Sequence, residues 1–355
     1  MTAPQRALIV CPGRGTYTAN ELGYLAKRKA DPRCTSVPAI VETADRFRKS
    51  VDSKTVTEID AAERFSAGLH MSGPNAGSLI FTCSAADFVS IPQDRFKPVA
   101  VCGNSMGWYT SLFASGAFEF GDALRLVDTM SKSQQGQLVG GQLIIPWVDE
   151  DWQPNYALRE QLLNIVKSID ETIGACALSI NLGGYLVLAG DKAALAALRE
   201  QLPTINWGGR DYPFQLAQHA AFHTSLMEGA SAFGRERLND LPWQAPKISL
   251  IDGSGRIHRP LASDYQSIFD YTLGEQVLET YDFTLSLRVA LREFAPDVLI
   301  LLGPGTTLGG SVGQTLVLEN WQGIHNKADF AARQKSDKPI LLAMGRDDQF
   351  EAVLG

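Results

Sequence analysis

Pro98-Val-Ala-Val-Cys-Gly-Asn-Ser-Met-Gly-Trp108 joins a short apolar run to a Gly-x-Ser-x-Gly pentad. Residues 99–102 read as a buried strand and 108–117 as a helix. A strand before the pentad and a helix after it is the setting of a nucleophile elbow, which forces the serine onto a sharp corner with its hydroxyl exposed. Gly103 and Gly107 let backbone and helix crowd that turn. The N–H of the next residue, Met106, and the helix N-terminus then face any oxyanion formed at Ser105. A purely structural turn is the competing reading of the pentad by itself.

On the N-terminal side, residues 7–11 form a second apolar strand that runs into Pro12-Gly-Arg-Gly-Thr16. A Gly-rich turn there offers free backbone N–H groups at a strand's C-terminal end, where α/β proteins build their sites. It lacks the Gly-Lys-Ser/Thr ending of a phosphate-binding loop. Residues 19–68 are helical in pattern and carry a basic zone, Lys27-Arg-Lys29, Arg33 and Arg46-Phe-Arg-Lys49. It reads first as a solvated face, and alternatively as a dock for an acidic partner. Ser72-Gly-Pro-Asn-Ala-Gly77 reads as loop, 78–89 as a buried helix and 121–137 as an amphipathic helix.

After residue 140 the pattern changes to strand 142–147, helix 155–172, strands 176–180 and 185–189, and helix 191–202 with Asp191 as its cap. Strand, helix, strand, strand, helix, strand predicts a ferredoxin-like small domain at 131–215, inserted into a large α/β domain made of 1–130 and 216–355. In the returning segment a helix is expected to open at 221–227 and run to 238, and one or two helices are expected within 273–294. Strand 298–302 ends in Gly303-Pro-Gly305.

The composition narrows the class. A chain of 355 residues with a formal charge of −7 has no basic excess for nucleic acid. Five scattered cysteines form no CxxC pair and no Cys/His cluster, which predicts reduced core thiols and no metal site. No stretch approaches about 18 uninterrupted apolar residues, and the N-terminus lacks a signal-peptide core. A soluble cytoplasmic protein that is not bound to a membrane is expected.

A serine nucleophile needs a base within hydrogen-bond reach. The chain has five histidines. His70, His258 and His325 stand in loops, turns or the tail, whereas His219 and His223 bracket a small-residue segment at the domain junction. His223 opens the expected helix; His219 reads equally as a pocket wall or a surface residue.

Four motifs together, Pro12-Gly-Arg-Gly15, Gly103-Asn-Ser-Met-Gly107, Ala221-Phe-His-Thr-Ser-Leu-Met227 and Gly303-Pro-Gly305, stand in an order and spacing that resemble the acyltransferase family. That family comprises malonyl-CoA:acyl-carrier-protein transacylases and polyketide-synthase acyltransferase domains. The resemblance implies an α/β-hydrolase-like large domain with the ferredoxin-like insert. It also implies Ser105 as nucleophile, His223 as base, and the backbone N–H groups of Arg14 and Met106 as oxyanion hole. The main-chain carbonyl of Gln276 would orient the histidine, and Asn181 and Asn104 would stand at the substrate pocket. Acyl-CoA is the implied donor, a phosphopantetheinylated acyl carrier protein the implied partner, and no bound cofactor or metal is implied.

Two positions depart from the family pattern. Asn104 stands where histidine is usual, and Met130 stands where malonyl-specific members carry a carboxylate-binding arginine. A thioether offers a carboxylate nothing in place of the guanidinium fork. Either Arg14 turns toward the acyl group, or Met130 walls an apolar acyl pocket. A thioesterase or acyl hydrolase using the same Ser–His pair, an ordinary Ser–acid–His hydrolase, and a non-catalytic carrier-protein scaffold are the alternative functions.

Overall fold

The computed structural model describes residues 3–134 and 138–355. Its main sheet has six strands in the order Ile257–His258, Ser249–Ile251, Phe96–Gly103, Gln5–Cys11, Val298–Leu301, Leu341–Ala343. All neighbours are parallel except the short edge strand Ile257–His258. Parallel strands buried on both faces read as unbroken apolar runs, and Ala7 to Cys11 are indeed fully buried. The strand order reverses at Gln5–Cys11, and ligand crevices of open α/β sheets form at the carboxyl ends beside such a reversal. Register fixes what meets there. Cys11 pairs with Gly103, so the 12–15 turn and the 103–107 elbow leave the sheet side by side.

A second sheet runs Tyr281–Asp282, Cys176–Leu182, Tyr185–Gly190, Gly141–Pro146, Phe214–Gln215. Without its first member, and numbering its own four strands along the chain, the order is 4-1-3-2 read from Phe214–Gln215, with every neighbour antiparallel. With helices Tyr156–Thr172 and Lys192–Gln201 in the two crossovers, this is the ferredoxin-like arrangement. Asn155 and Asp191 cap those helices by accepting from Leu158 N and Ala194 N. Tyr281–Asp282, far along the chain from the four strands between Gly141 and Gln215, adds a parallel strand to this sheet.

Some local readings are corrected. The helix expected at 78–89 spans Gly73–Ser90, because Pro74 sits in its first turn, where a missing N–H costs nothing. The helix expected at 121–137 is Phe120–Lys132, and residues 135–137 of that expectation lie outside the described residues. His223 does not open a helix. It precedes a short turn at Ser225–Met227, and the helix proper is Glu228–Leu238. The basic zone is a solvated face only in part: Lys27, Lys29, Arg33, Arg46 and Lys49 are exposed, whereas two arginines turn inward. Arg28 and Arg48 are buried against Asp87 and Asp128, both at 2.8 Å. Lys27, Arg33 and Arg46 are each paired with a carboxylate as well. All five cysteines are buried and unpaired. No helix among the described residues is long and apolar enough to cross a membrane.

Candidate active site

Ser105 sits between the strand Phe96–Gly103 and the helix Gly107–Ala114 with φ of 54°. A non-glycine residue held left-handed is uncommon and costs on the order of 1–3 kcal/mol. The surroundings enforce it through two glycines. A Cβ at Gly107 would lie 2.2 Å from the Cys11 carbonyl oxygen, and one at Gly103 would lie 2.4 Å from the Gly107 backbone. Asn104 N donates to Cys11 O at 3.0 Å, which ties the elbow to the first strand.

His223 is also left-handed, with φ of 59°, and is buried. Its Nδ1–H donates to Gln276 O at 2.6 Å. A carbonyl can only accept, so this contact fixes the tautomer and leaves the Nε2 lone pair to receive the Ser105 Oγ–H at 2.7 Å. Burial pushes the imidazole pKa down to about 4, and the Gln276 carbonyl opposes that only in part. The ring is therefore neutral at pH 7, the form a proton acceptor requires. No carboxylate contacts either ring nitrogen among the described residues.

Gln276 does more than sequence reasoning assigned to it. Its side-chain Nε2 donates to Ser105 O at 3.2 Å, and its Oε1 accepts from Tyr109 Oη at 3.0 Å. One residue thus holds the serine turn through its amide and the histidine through its main chain. Tyr109 was not anticipated, although its place four residues after Ser105, on the first turn of the following helix, is a signal that it faces back toward the elbow.

The pair opens into a cavity of about 720 Å³. Arg14, Met106, Tyr109, Met130, Phe222 and Gln276 line it, together with the 72–75 segment and Lys54. The backbone N–H groups of Arg14 and Met106 donate no hydrogen bond among the described residues. The Gly13 turn packs on the elbow closely enough that a Cβ there would lie 2.7 Å from Asn104 O. Met130 lies against the helix Glu228–Leu238, where a Cβ on Gly234 would come within 2.6 Å of its sulfur.

Two expected pocket residues are corrected. Asn104 and Asn181 do not line the cavity. The Asn104 amide turns toward the Gly13 turn. Asn181 pairs with Asp282 on the neighbouring parallel strand Tyr281–Asp282, its Nδ2 donating to both carboxylate oxygens at 3.1 Å. The remaining histidines serve elsewhere. His70 stacks on Phe65 and Tyr17, His258 meets Asp252 at 2.9 Å, and His325 meets Asn320 at 2.8 Å. His219 contacts Ala217 O at 2.8 Å. Among the described residues, no group of three or more His, Cys, Asp or Glu is placed to hold a metal ion.

Fold and site together define a class: an α/β-hydrolase-like sheet with a serine elbow and a carbonyl-oriented histidine, beside a ferredoxin-like second sheet. No protein-family model matches the chain. It is 25% identical over 256 residues, 69% of this chain and 72% of the relative, to a malonyl CoA-acyl carrier protein transacylase of Haemophilus influenzae. It is 29% identical over 282 residues to a polyketide synthase of Streptomyces halstedii; the match covers 77% of this chain and 5% of that protein. In fold it is similar to the acyl-carrier-protein S-malonyltransferase of Burkholderia pseudomallei, with a TM-score of 0.74, 22% identity, and 98% of this chain and 99% of that one covered. These are the proteins that the four sequence motifs resemble.

Proposed function

We propose that the chain is an acyl-CoA:acyl-carrier-protein S-acyltransferase of fatty-acid or polyketide synthesis, working by ping-pong transfer through Ser105. The observation that carries this reading is the 2.7 Å contact from Ser105 Oγ to a His223 whose other nitrogen is committed to a main-chain carbonyl. The similarity to named transacylases supports the choice of reaction and of acyl carrier protein as acceptor.

In the first half-reaction Ser105 Oγ attacks the thioester carbonyl carbon while His223 Nε2 takes its proton. The resulting oxyanion is positioned for the N–H groups of Arg14 and Met106. The C–S bond breaks, and the departing CoA sulfur takes the proton back from His223. In the second half the carrier protein's phosphopantetheine thiol gives its proton to His223 and attacks the acyl-serine ester. Collapse breaks the C–Oγ bond, and the proton returns to Ser105. A neutral, buried imidazole suits both halves, because each begins with proton acceptance.

Intact-protein mass spectrometry after incubation with acyl-CoA donors tests the reading. An acyl adduct that disappears in Ser105→Ala, and that discharges onto holo-carrier protein faster than into water, is the expected result. Absence of any adduct defeats the acyl-serine mechanism. Discharge into water alone makes the protein a thioesterase or acyl hydrolase.

A further inference from the structure

We propose that Arg14 is the anchor for a free carboxylate on the acyl group, so that Ser105 carries a malonyl-type, 2-carboxyacyl unit held from the oxyanion turn. This rests on the acyl-serine reading above and adds the substrate's charge to it.

The helix Phe120–Lys132 gives the cavity no cation. Met130 occupies the wall. Arg125 is engaged by Asp240 at 2.8 Å, and Lys132 by Asp128 at 2.6 Å. Arg14 differs from both. Its Nη2 donates to Met71 O at 3.0 Å and to Gln218 O at 3.1 Å, and the guanidinium lies 5.6 Å from the Phe222 ring centroid. Two main-chain anchors and an aromatic face fix the group in place. Nη1, with two N–H donors, and Nε, with one, meet no acceptor among the described residues. No aspartate or glutamate is found among the described residues lining the cavity, although the protein as a whole is acidic.

A guanidinium set into a wall without a counter-charge has already lost much of its hydration, so an incoming carboxylate gains a charge-assisted bond at little reorganisation cost. Burial lowers the Arg14 pKa only to about 10, so the cation persists at neutral pH. Its location also fits the substrate. The malonyl carboxylate is two carbon–carbon bonds from the thioester carbonyl, and Arg14 is the residue whose own N–H faces that carbonyl's oxygen in the proposed reaction. Lys54, the other cation on the lining, stands on an exposed loop where solvent screens it.

The test is the ratio of initial Ser105 acylation rates with malonyl-CoA and acetyl-CoA, read by intact mass on the full chain. Wild type is expected to favour malonyl-CoA, and Arg14→Gln to lower the ratio roughly 10- to 100-fold, the worth of a hydrogen bond to a charged group. Arg14→Lys, which keeps the charge on a different geometry, should fall between them. Should Arg14→Gln not accumulate as folded protein, the Lys variant reads the same ratio, with a severalfold fall expected. An unchanged ratio in the folded variants, or a wild type that takes acetyl and refuses malonyl, overturns the proposal while leaving acyl transfer intact. A wild type that forms no adduct with any donor defeats the acyl-serine reading itself.

Discussion

Tyr109 holds Gln276 by its side-chain oxygen at 3.0 Å, and the nitrogen of that same amide holds the Ser105 carbonyl. The tyrosine therefore acts on the serine turn without touching the serine. Tyr109→Phe removes one neutral hydrogen bond, and Gln276→Leu removes two while keeping the main-chain carbonyl. A loss of about 1 kcal/mol of stability is expected for the first and somewhat more for the second. Because the strained Ser105 turn loses a tether in Gln276→Leu, kcat is expected to fall by roughly tenfold with little change in KM. Steady-state kinetics beside a denaturant melt separates the two effects.

His223→Ala leaves Ser105 with no proton acceptor. Acylation is expected to slow by about 10²–10⁴-fold, the usual contribution of general base catalysis. Stopped-quench mass spectrometry with a saturating donor measures it. A fall of less than tenfold would assign the base elsewhere.

The acylation rate should follow the neutral form of His223, whose pKa is pushed down to about 4 by burial. A profile that is flat from about pH 5.5 to neutrality and falls toward a midpoint near 4 is expected. Stability shares the same origin. The unfolded chain, with an ordinary imidazole near pH 6.5, takes up the proton before the folded chain does. Folding free energy contributed by this site is therefore complete above that value and is lost as pH drops toward 4, by on the order of 3 kcal/mol. Urea unfolding at several pH values, compared with His223→Gln, isolates the part due to this residue.

Asp128→Ala strands Arg48, which is buried and also binds Pro74 O and Asn75 Oδ1 on the cavity wall. Breaking one side of a buried pair costs about 3–5 kcal/mol. A lowered unfolding midpoint, with a raised KM for acyl-CoA in whatever folds, is the expected outcome.

Gly107→Ala places a methyl group 2.2 Å from the Cys11 carbonyl. The first strand cannot move without disturbing two neighbours in register, so destabilisation of at least about 1–3 kcal/mol is expected. A thermal melt is sufficient to read it.

Much of this architecture was legible because buried parallel strands announce themselves as apolar runs. Val99 to Cys102 and Ala7 to Cys11 needed no partner information to be read as strands. The order of helices and strands from residue 141 to residue 215 was enough to predict a ferredoxin-like sheet. Contacts between distant segments were harder. Nothing local says that Tyr281–Asp282 pairs with Ile180 and Asn181, since a two-residue strand has no periodicity. Composition marked Arg28 and Arg48 as surface charges, yet their carboxylate partners lie 59 and 80 residues away and take them into the core. The left-handed backbone of His223 was likewise invisible, because a favourable helical sequence follows it immediately. The site's polar chemistry was readable by residue type, but the Tyr109–Gln276 tether exists only once two helices are packed.

The oxygen that orients His223 belongs to the main chain of Gln276. Every amino acid at position 276 brings that same oxygen, so no side-chain replacement deletes it. Substitutions at 276 therefore probe the side chain's tether to Ser105 and Tyr109, and never the orienting oxygen itself. The orienting atom also has no proton to gain near neutral pH, so the pair titrates as one group instead of two coupled ones. The third member is lost only when the backbone at 276 moves, so whatever holds that turn in place, the amide of Gln276 on Ser105 and Tyr109 included, guards the histidine's orientation at one remove.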